Sequence, residues 1–453
     1  MSMFVKRTSE LNLLTKQYQE SGSCMVILYG RKGIGKTTLL KEFIREKPAY
    51  YYCGVECEGR LQFDRMKKEW LDSGEEPDNI SDYALLLSSL IHKQEARTVI
   101  VLDEFHVIAR NSLEFLEAFQ GFHALHNPVM FILCSSSIRF VENEMVGLMG
   151  SMASYITSYL KLKEFSFIDF INFFPKSTVE TCIYANAILG GVPGYLKEWR
   201  EDRPLQANIT GILLDKNHWL LQEPQNFLKQ DLREPSVYNT ILSSIAEGNR
   251  KLNDLHLRTG YSRAKIMVYL KHLIQLDIVE KLVPLGEEGK ENAKKGLYRI
   301  RDHYLHFWYR FVFPDLSRLM LGKAAEVYKD KIDPFLNDYM AEYFADVCLE
   351  FLKLMNLKQR LPARYQWWDR WYGKNGTIDI IAKEPEVRTL AGKCIWEDRK
   401  ADSQDYKVLQ GRSKEAGIYP DTWYLFSKNG FSEELKDQAR SIAGIWLVGL
   451  EDL

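Results

Sequence analysis

The residues with the clearest chemical potential form the run Gly30-Arg31-Lys32-Gly33-Ile34-Gly35-Lys36-Thr37. It satisfies the spacing G-x-x-x-x-G-K-[ST] at every fixed position. Glycines at these points let the backbone curl so that successive N–H groups converge on phosphate oxygens. The following helix adds the partial positive charge of its N-terminus. In that arrangement Lys36 reaches the β- and γ-phosphates and the Thr37 hydroxyl ligates Mg²⁺. The backbone from Gly30 through Thr37 and on to Thr38 would line the nucleotide. A glycine-rich turn that binds nothing is the plain alternative, but the flanks speak against it. Met25-Val26-Ile27-Leu28-Tyr29 reads as a buried strand, and Thr38-Leu39-Leu40-Lys41-Glu42-Phe43-Ile44 continues as a helix. A nucleoside triphosphate, ATP with Mg²⁺, is the expected ligand.

Two further segments fit the same chemistry. Val99-Ile100-Val101-Leu102 has the apolar, β-branched character of a parallel strand covered on both faces, and it ends in Asp103-Glu104. Asp103 is expected to hold the hydration shell of Mg²⁺, and Glu104 to polarise the attacking water. The run Val129-Met130-Phe131-Ile132-Leu133-Cys134 ends in Ser135-Ser136-Ser137. Ser136 is the candidate to hydrogen-bond the γ-phosphate or the lytic water; a simple turn explains three serines equally well. The opening Phe4-Val5-x-Arg7-x-x-Glu10-Leu11 either packs on the adenine base, with Arg7 among the contacts, or simply starts a helix.

These residues need a scaffold, and the chain supplies one. At 453 residues, 46% hydrophobic and 13% aromatic, it has length and apolar content for about three packed domains. A formal charge of −1 excludes a generally basic nucleic-acid coat but not a local patch. Seven scattered cysteines, among them the unaccompanied pair Cys53 and Cys57, suit free thiols in a reducing compartment. No signal core or membrane-length apolar run is evident, so a soluble, cytoplasmic protein is expected. Residues 1–200 alternate strand-like and amphipathic stretches, as an α/β fold with a parallel sheet does. They close with Gly190-Gly191-Val192-Pro193-Gly194, a helix-breaking group that begins a lid or linker over 201–234.

Residues 235–314 read as a winged helix-turn-helix. Val237, Ile241, Leu242 and Ile245 make one apolar stripe, Leu252 to Leu257 a short second helix, and Ile266, Leu270, Leu273 and Ile274 a third stripe after the Ser262 cap. Leu276 to Val283 and Leu297 to Ile300 would be wing strands, joined by the charged loop from Gly286 to Gly296 that carries Glu287, Glu288 and Glu291. Ser236 to Pro314 holds 13 Lys/Arg against 8 Asp/Glu, which favours contact with double-stranded DNA through Ser262, Arg263 and Lys265. The alternative is a module that only packs. His303-x-x-His306 has metal-ligand spacing but sits in an aromatic helix with Tyr304, Phe307, Trp308 and Phe311, so core packing is expected. Residues 315–453 begin helical and then turn β-rich. Ile378-Asp379-Ile380-Ile381 and Lys393-Cys394-Ile395-Trp396-Glu397 each bear an acid, and Asp379 with Glu397 is a candidate second metal site.

Taken together, the chain resembles an archaeal and bacterial ATPase family related to the AAA+ and STAND classes. The resemblance rests on Gly30 to Thr37, Leu102-Asp103-Glu104-Phe105, Gly190-Gly191-Val192-Pro193, the run from Tyr298 to Trp308, Trp367-Trp368, Ile378-Asp379-Ile380, Trp396-Glu397 and Phe426 to Phe431. It implies a phosphate-loop ATPase followed by a winged helix and a C-terminal α/β domain similar to restriction-endonuclease cores. This chain departs from that pattern in three places. Phe344 is followed by Ala345 where the family has glutamate. Glu397-Asp398-Arg399-Lys400 places arginine where a lysine would position water. No arginine follows the glycine near Gly150-Ser151, leaving Arg110 and Arg139 as γ-phosphate-sensing candidates. Three readings stay open: an ATP-driven switch or motor coupled to DNA, an ATP-regulated nuclease, and an ATP-gated scaffold for a protein partner or a second copy of the chain.

Overall fold

The computed structural model describes residues 7–71, 80–92, 97–121, 128–282, 296–373, 376–384 and 388–453. The expected base-contacting Phe4 and Val5, and the acidic wing-loop residues Glu287, Glu288 and Glu291, lie outside the described residues. The chain forms two compact units. One runs to Glu164 and includes Val192–Gly194; the other comprises Phe165–Gly191 and Tyr195–Leu453.

The first unit is built on five parallel strands: β1 (Cys24–Tyr29), β2 (Ala49–Cys53), β3 (Thr98–Asp103), β4 (Val129–Ser135) and β5 (Ile156–Lys161). Their order is β2-β3-β4-β1-β5. Strands β3 and β4 are buried along their whole length, the outcome expected of apolar runs covered by helices on both faces. This order inserts β4 between the two strands that carry the candidate site. Since the strands are parallel, Tyr29, Asp103 and Ser135 all end at the same edge, where ligands bind in such sheets.

The second unit contains two further assemblies. Helices Pro235–Ala246, Leu252–Thr259 and Arg263–Gln275 precede the antiparallel ribbon of β6 (Val279–Leu282) and β7 (Leu297–Ile300). The strand expected from Leu276 begins only at Val279, because Asp277 adopts a left-handed φ of 59° and turns the chain first. The aromatic stripe Tyr304, Phe307, Trp308 and Phe311 is buried. His303 bonds the Asn186 carbonyl and His306 bonds the Tyr343 hydroxyl. Burial pushes the His306 pKa down to about 4, so this imidazole is neutral core material.

A 22-residue helix, Leu336–Leu357, then leads to the strands β8 (Trp367–Gly373), β9 (Gly376–Lys383), β10 (Thr389–Ile395), β11 (Thr422–Ser427) and β12 (Ile445–Val448). Their order is β12-β11-β10-β9-β8. β8, β9 and β10 form an antiparallel meander, whereas β11 and β12 add in parallel. The parallel addition of β11 is made possible by the crossover helix Ser403–Glu415, whose start is fixed by a reciprocal cap between Asp402 and Asp405.

An ion network ties the ribbon to the long helix. Arg299 on β7 bonds Glu280 at 2.7 Å and Asp346 at 3.2 Å, Arg370 on β8 bonds Asp346 at 2.6 Å, and Arg250 bonds Glu342 at 2.6 Å. Burial would raise the Glu342 pKa, but Arg250 and Arg299 outweigh it and hold it at about 2, against 4.5 ordinarily. A carboxylate lowered in this way stabilises the fold above its unfolded pKa, and the contribution fades as pH falls from 4.5 toward 2. Glu342→Gln is therefore expected to cost about 3 kcal/mol at pH 7, since it removes the negative charge that compensates Arg250 and Arg299. The gap from wild type should narrow steadily below pH 4.5 in denaturant titrations.

Candidate active site

The loop after β1 takes the conformation its glycines permit. Gly30, Gly33 and Gly35 have φ of 150°, 79° and 97°, values that side-chain-bearing residues avoid. Gly35 is the left-handed cap of the helix Lys36–Ile44, and the Leu39 N–H bonds its carbonyl at 3.0 Å. Lys36 is 5% exposed and folds back over the loop, with Nζ donating to the Gly30 carbonyl at 2.8 Å and to that of Arg31 at 3.1 Å. Lys32, Thr37 and Thr38 are exposed, and Ile34 is buried. Arg31 pairs with Glu164 at 3.2 Å.

Arg7 supports the loop from behind: its Nη2 donates to the Ile34 carbonyl at 2.9 Å, and its Nη1 pairs with Glu10. The Val192–Gly194 segment also packs on the loop. The Gly194 N–H donates to the Gly33 carbonyl at 2.9 Å, and a Cβ on Gly194 would lie only 3.1 Å from Gly33 Cα. The glycine–proline group that marked a linker in the sequence thus contributes three residues to the first unit.

Across β4, Thr37 Oγ1 donates to Asp103 Oδ2 at 2.9 Å, Tyr51 OH donates to the same oxygen at 2.7 Å, and the Glu104 N–H donates to Oδ1 at 2.9 Å. Burial alone would raise the Asp103 pKa; hydrogen bonds from Cys134, Tyr51 and Thr37 reverse it, and the net is below the ordinary value. Asp103 is thus an ionised carboxylate beside a hydroxyl, the hard oxygen set that suits Mg²⁺. Glu104 sits in the left-handed region at φ 51°, an uncommon place for a residue with a side chain. Its Oε2 accepts from Ser136 Oγ at 2.7 Å and from the Ser136 N–H at 3.1 Å, and lies 3.3 Å from His106 Nδ1. Burial, the largest influence on His106, lowers its pKa.

Sequence reasoning passed over Tyr51 and His106. Tyr51 lies in Ala49-Tyr50-Tyr51-Tyr52-Cys53, where aromatic residues run together and no alternation separates the two faces. His106 follows the acids by only two residues, and that spacing carries no motif of its own. The sensing candidates are occupied elsewhere: Arg110 bonds Glu144 at 2.8 Å, and Arg139 lies 4.0 Å from the same residue.

In the second unit, Ser262 caps the helix Arg263–Gln275 by accepting from the Lys265 N–H. Arg263 bonds Asn253, and Lys265 Nζ lies 4.8 Å from the Tyr261 ring centre and 5.6 Å from that of Tyr269. Asp379 and Glu397 are not brought into contact. Asp379 accepts from the Cys394 N–H at 2.9 Å and from Thr377 at 2.9 Å, and burial raises its pKa. Glu397 lies past the end of β10, exposed and bonded to Arg399 at 2.7 Å. Arg399 and Lys393 both bind Asp405, each at 2.7 Å. Among the described residues no group of three or more His, Cys, Asp or Glu side chains is placed to hold a metal ion, and no helix is long and apolar enough to cross a membrane.

Comparison with known proteins supports the reading of the first unit. Residues 4–199 match a family model described as an ATPase domain predominantly from Archaea. Residues 308–406 match a second, described as archaeal and bacterial proteins of unknown function. An uncharacterized protein of Methanocaldococcus jannaschii is 27% identical over 422 residues, covering 92% of this chain and 93% of its own length. An uncharacterized ATP-binding protein of the same organism is 44% identical over 45 residues, which is 10% of this chain and 76% of its own. Among solved structures, the Walker-type ATPase of Pyrococcus abyssi superposes with a TM-score of 0.47 at 16% identity, over 68% of this chain and 96% of that one. The Aeropyrum pernix ORC2 protein gives 0.43 at 16% identity, over 70% and 95%. The N-terminal part is thus similar to that ATPase domain, and its loop makes it one of the P-loop type.

The loop geometry sets a direct test. A Cβ on Gly30 would stand 2.6 Å from the Leu162 carbonyl oxygen. Gly30→Ala is expected to cost about 2 kcal/mol of stability in denaturant titrations, through clash and backbone strain together.

Proposed function

We propose that this protein is a Mg²⁺-dependent ATPase that works as a nucleotide-driven switch, with the three-helix module and its ribbon as the output. The observation that carries the reading is the convergence of Lys36, Thr37, Asp103, Glu104 and Ser136 at one edge of the sheet. The inward N–H groups and Lys36 would bind the phosphates, with Lys36 exchanging its carbonyl partners for phosphate oxygens. Thr37 and Asp103 would hold Mg²⁺, which supplies neutralisation of the β- and γ-phosphate charge. Glu104 would take the proton of the attacking water after turning away from Ser136.

Lys36→Ala should abolish ATP binding. Glu104→Gln should keep ATP bound and lower turnover by about a hundredfold or more. Both are read by equilibrium binding and steady-state hydrolysis, and a Lys36→Ala protein that still binds ATP overturns the proposal.

Duplex DNA is the output partner most consistent with the module's basic composition. The Ser262 cap orients the helix whose first turn carries Arg263 and Lys265, as in proteins that insert such a helix into the major groove. DNA is then expected to raise ATP hydrolysis at low salt, with the effect lost as salt rises. Arg263→Ala combined with Lys265→Ala should remove the stimulation and spare the basal rate. The nuclease alternative draws no support from the separate engagements of Asp379 and Glu397. If DNA leaves hydrolysis unchanged, nucleotide-dependent assembly with a protein partner is the reading to pursue.

A further inference from the structure

β2 carries three consecutive tyrosines with different environments. Tyr50 and Tyr52 are 4% and 0% exposed, and their hydroxyls bond the carbonyls of Met66 and Gln62. The two-residue period of a strand turns Tyr51 to the opposite face of the sheet. Strands β2 and β3 pair in parallel, with Tyr51 beside Val101 and Cys53 beside Asp103. The Tyr51 phenol reaches along the ladder, two residues beyond Val101, to Asp103 Oδ2, the oxygen already bonded by Thr37.

An ionised carboxylate offers about four lone-pair positions, two on each oxygen. Thr37 and Tyr51 together take both positions on Oδ2, the Glu104 N–H takes one on Oδ1, and the buried Cys134 thiol adds a further hydrogen bond to the carboxylate. A carboxylate held at both oxygens cannot rotate about its Cβ–Cγ bond without breaking one of these contacts. Thr37 and the Glu104 N–H hold one oxygen each, and Tyr51 adds a second contact on Oδ2 that narrows the remaining play of the carboxylate plane.

We propose that Tyr51 is a positioning residue for the metal site, fixing the plane of the Asp103 carboxylate so that it meets the hydration shell of Mg²⁺ in one orientation. This rests on the reading of Thr37 and Asp103 as the Mg²⁺-holding pair. The Tyr51 hydroxyl bonds Asp103 and would act through that carboxylate. Without this hydroxyl the carboxylate keeps its charge and its remaining hydrogen bonds but is aligned less tightly. The deficit then falls on the metal's contribution to nucleotide binding.

The test uses the full chain and a fluorescent, non-hydrolysable ATP analogue. Its Kd is measured in EDTA and across a MgCl₂ titration for wild type, Tyr51→Phe and Tyr52→Phe. The quantity read is the Mg²⁺ concentration that gives half of the affinity gain, which is independent of the folded fraction. Tyr51→Phe is expected to raise it about fivefold, the loss of one hydrogen bond to a charged group. Tyr52→Phe removes a phenol from the same strand without touching Asp103 and should leave it at the wild-type value. Equal half-points in wild type and Tyr51→Phe overturn the proposal, as do equal shifts in both variants. A wild-type protein that binds the analogue with no Mg²⁺ effect overturns the metal-site reading itself.

Discussion

The candidate site depends on one hydrogen bond, from the Thr37 hydroxyl to Asp103 Oδ2. It joins the phosphate loop to β3 although β4 runs between β1 and β3. The donor and the acceptor can meet only if three parallel strands end at one level, and the registers of β1 with β4 and β3 with β4 provide that. The intervening strand also contributes. Its end places Ser136 against Glu104, so the residue that would activate water is held by the strand separating loop from acid. The order β2-β3-β4-β1-β5 is thus a condition of these contacts as much as of the packing.

Much of this was legible in the residues. The loop motif, its strand and its helix carry a pattern of fixed spacing, and the Asp103-Glu104 end of an apolar run is informative once the loop is known. What could not be read was the environment of each side chain. The three tyrosines of β2 look alike in one dimension, yet only Tyr51 turns toward Asp103, because strand alternation is fixed by pairing with β3. Gly190 to Gly194 announced a break in the chain, and Gly190 with φ 67° ends the helix Val179–Leu189. Its return to the phosphate loop through Gly194 is a tertiary contact with no local signature.

The C-terminal assembly shows the same limit from the other side. Asp379 and Glu397 are acids near strand ends, and the sequence pairs them by that likeness. The strand β10 stops at Ile395, however, so Glu397 belongs to the following turn and is bonded within it to Arg399. Arg399, which stands where a water-positioning lysine was expected, is joined by Lys393 on the single carboxylate of Asp405 at the start of the crossover helix. These cations serve the anchoring of that helix, since Asp405 is held well below its ordinary pKa by them against the opposing effect of burial.

The bond from Gly194 to the Gly33 carbonyl has a consequence in time as well as in space. It joins residues on either side of the strands β2 to β5, across most of the first unit's sequence. During synthesis the phosphate loop emerges with its helix before the strands β2 to β5. Its outer wall is delivered only when Val192–Gly194 leaves the ribosome, after all five strands of the sheet. The nascent chain therefore holds an unfinished nucleotide cradle throughout the making of its ATPase sheet, and completion of the cradle marks the moment at which that unit is whole.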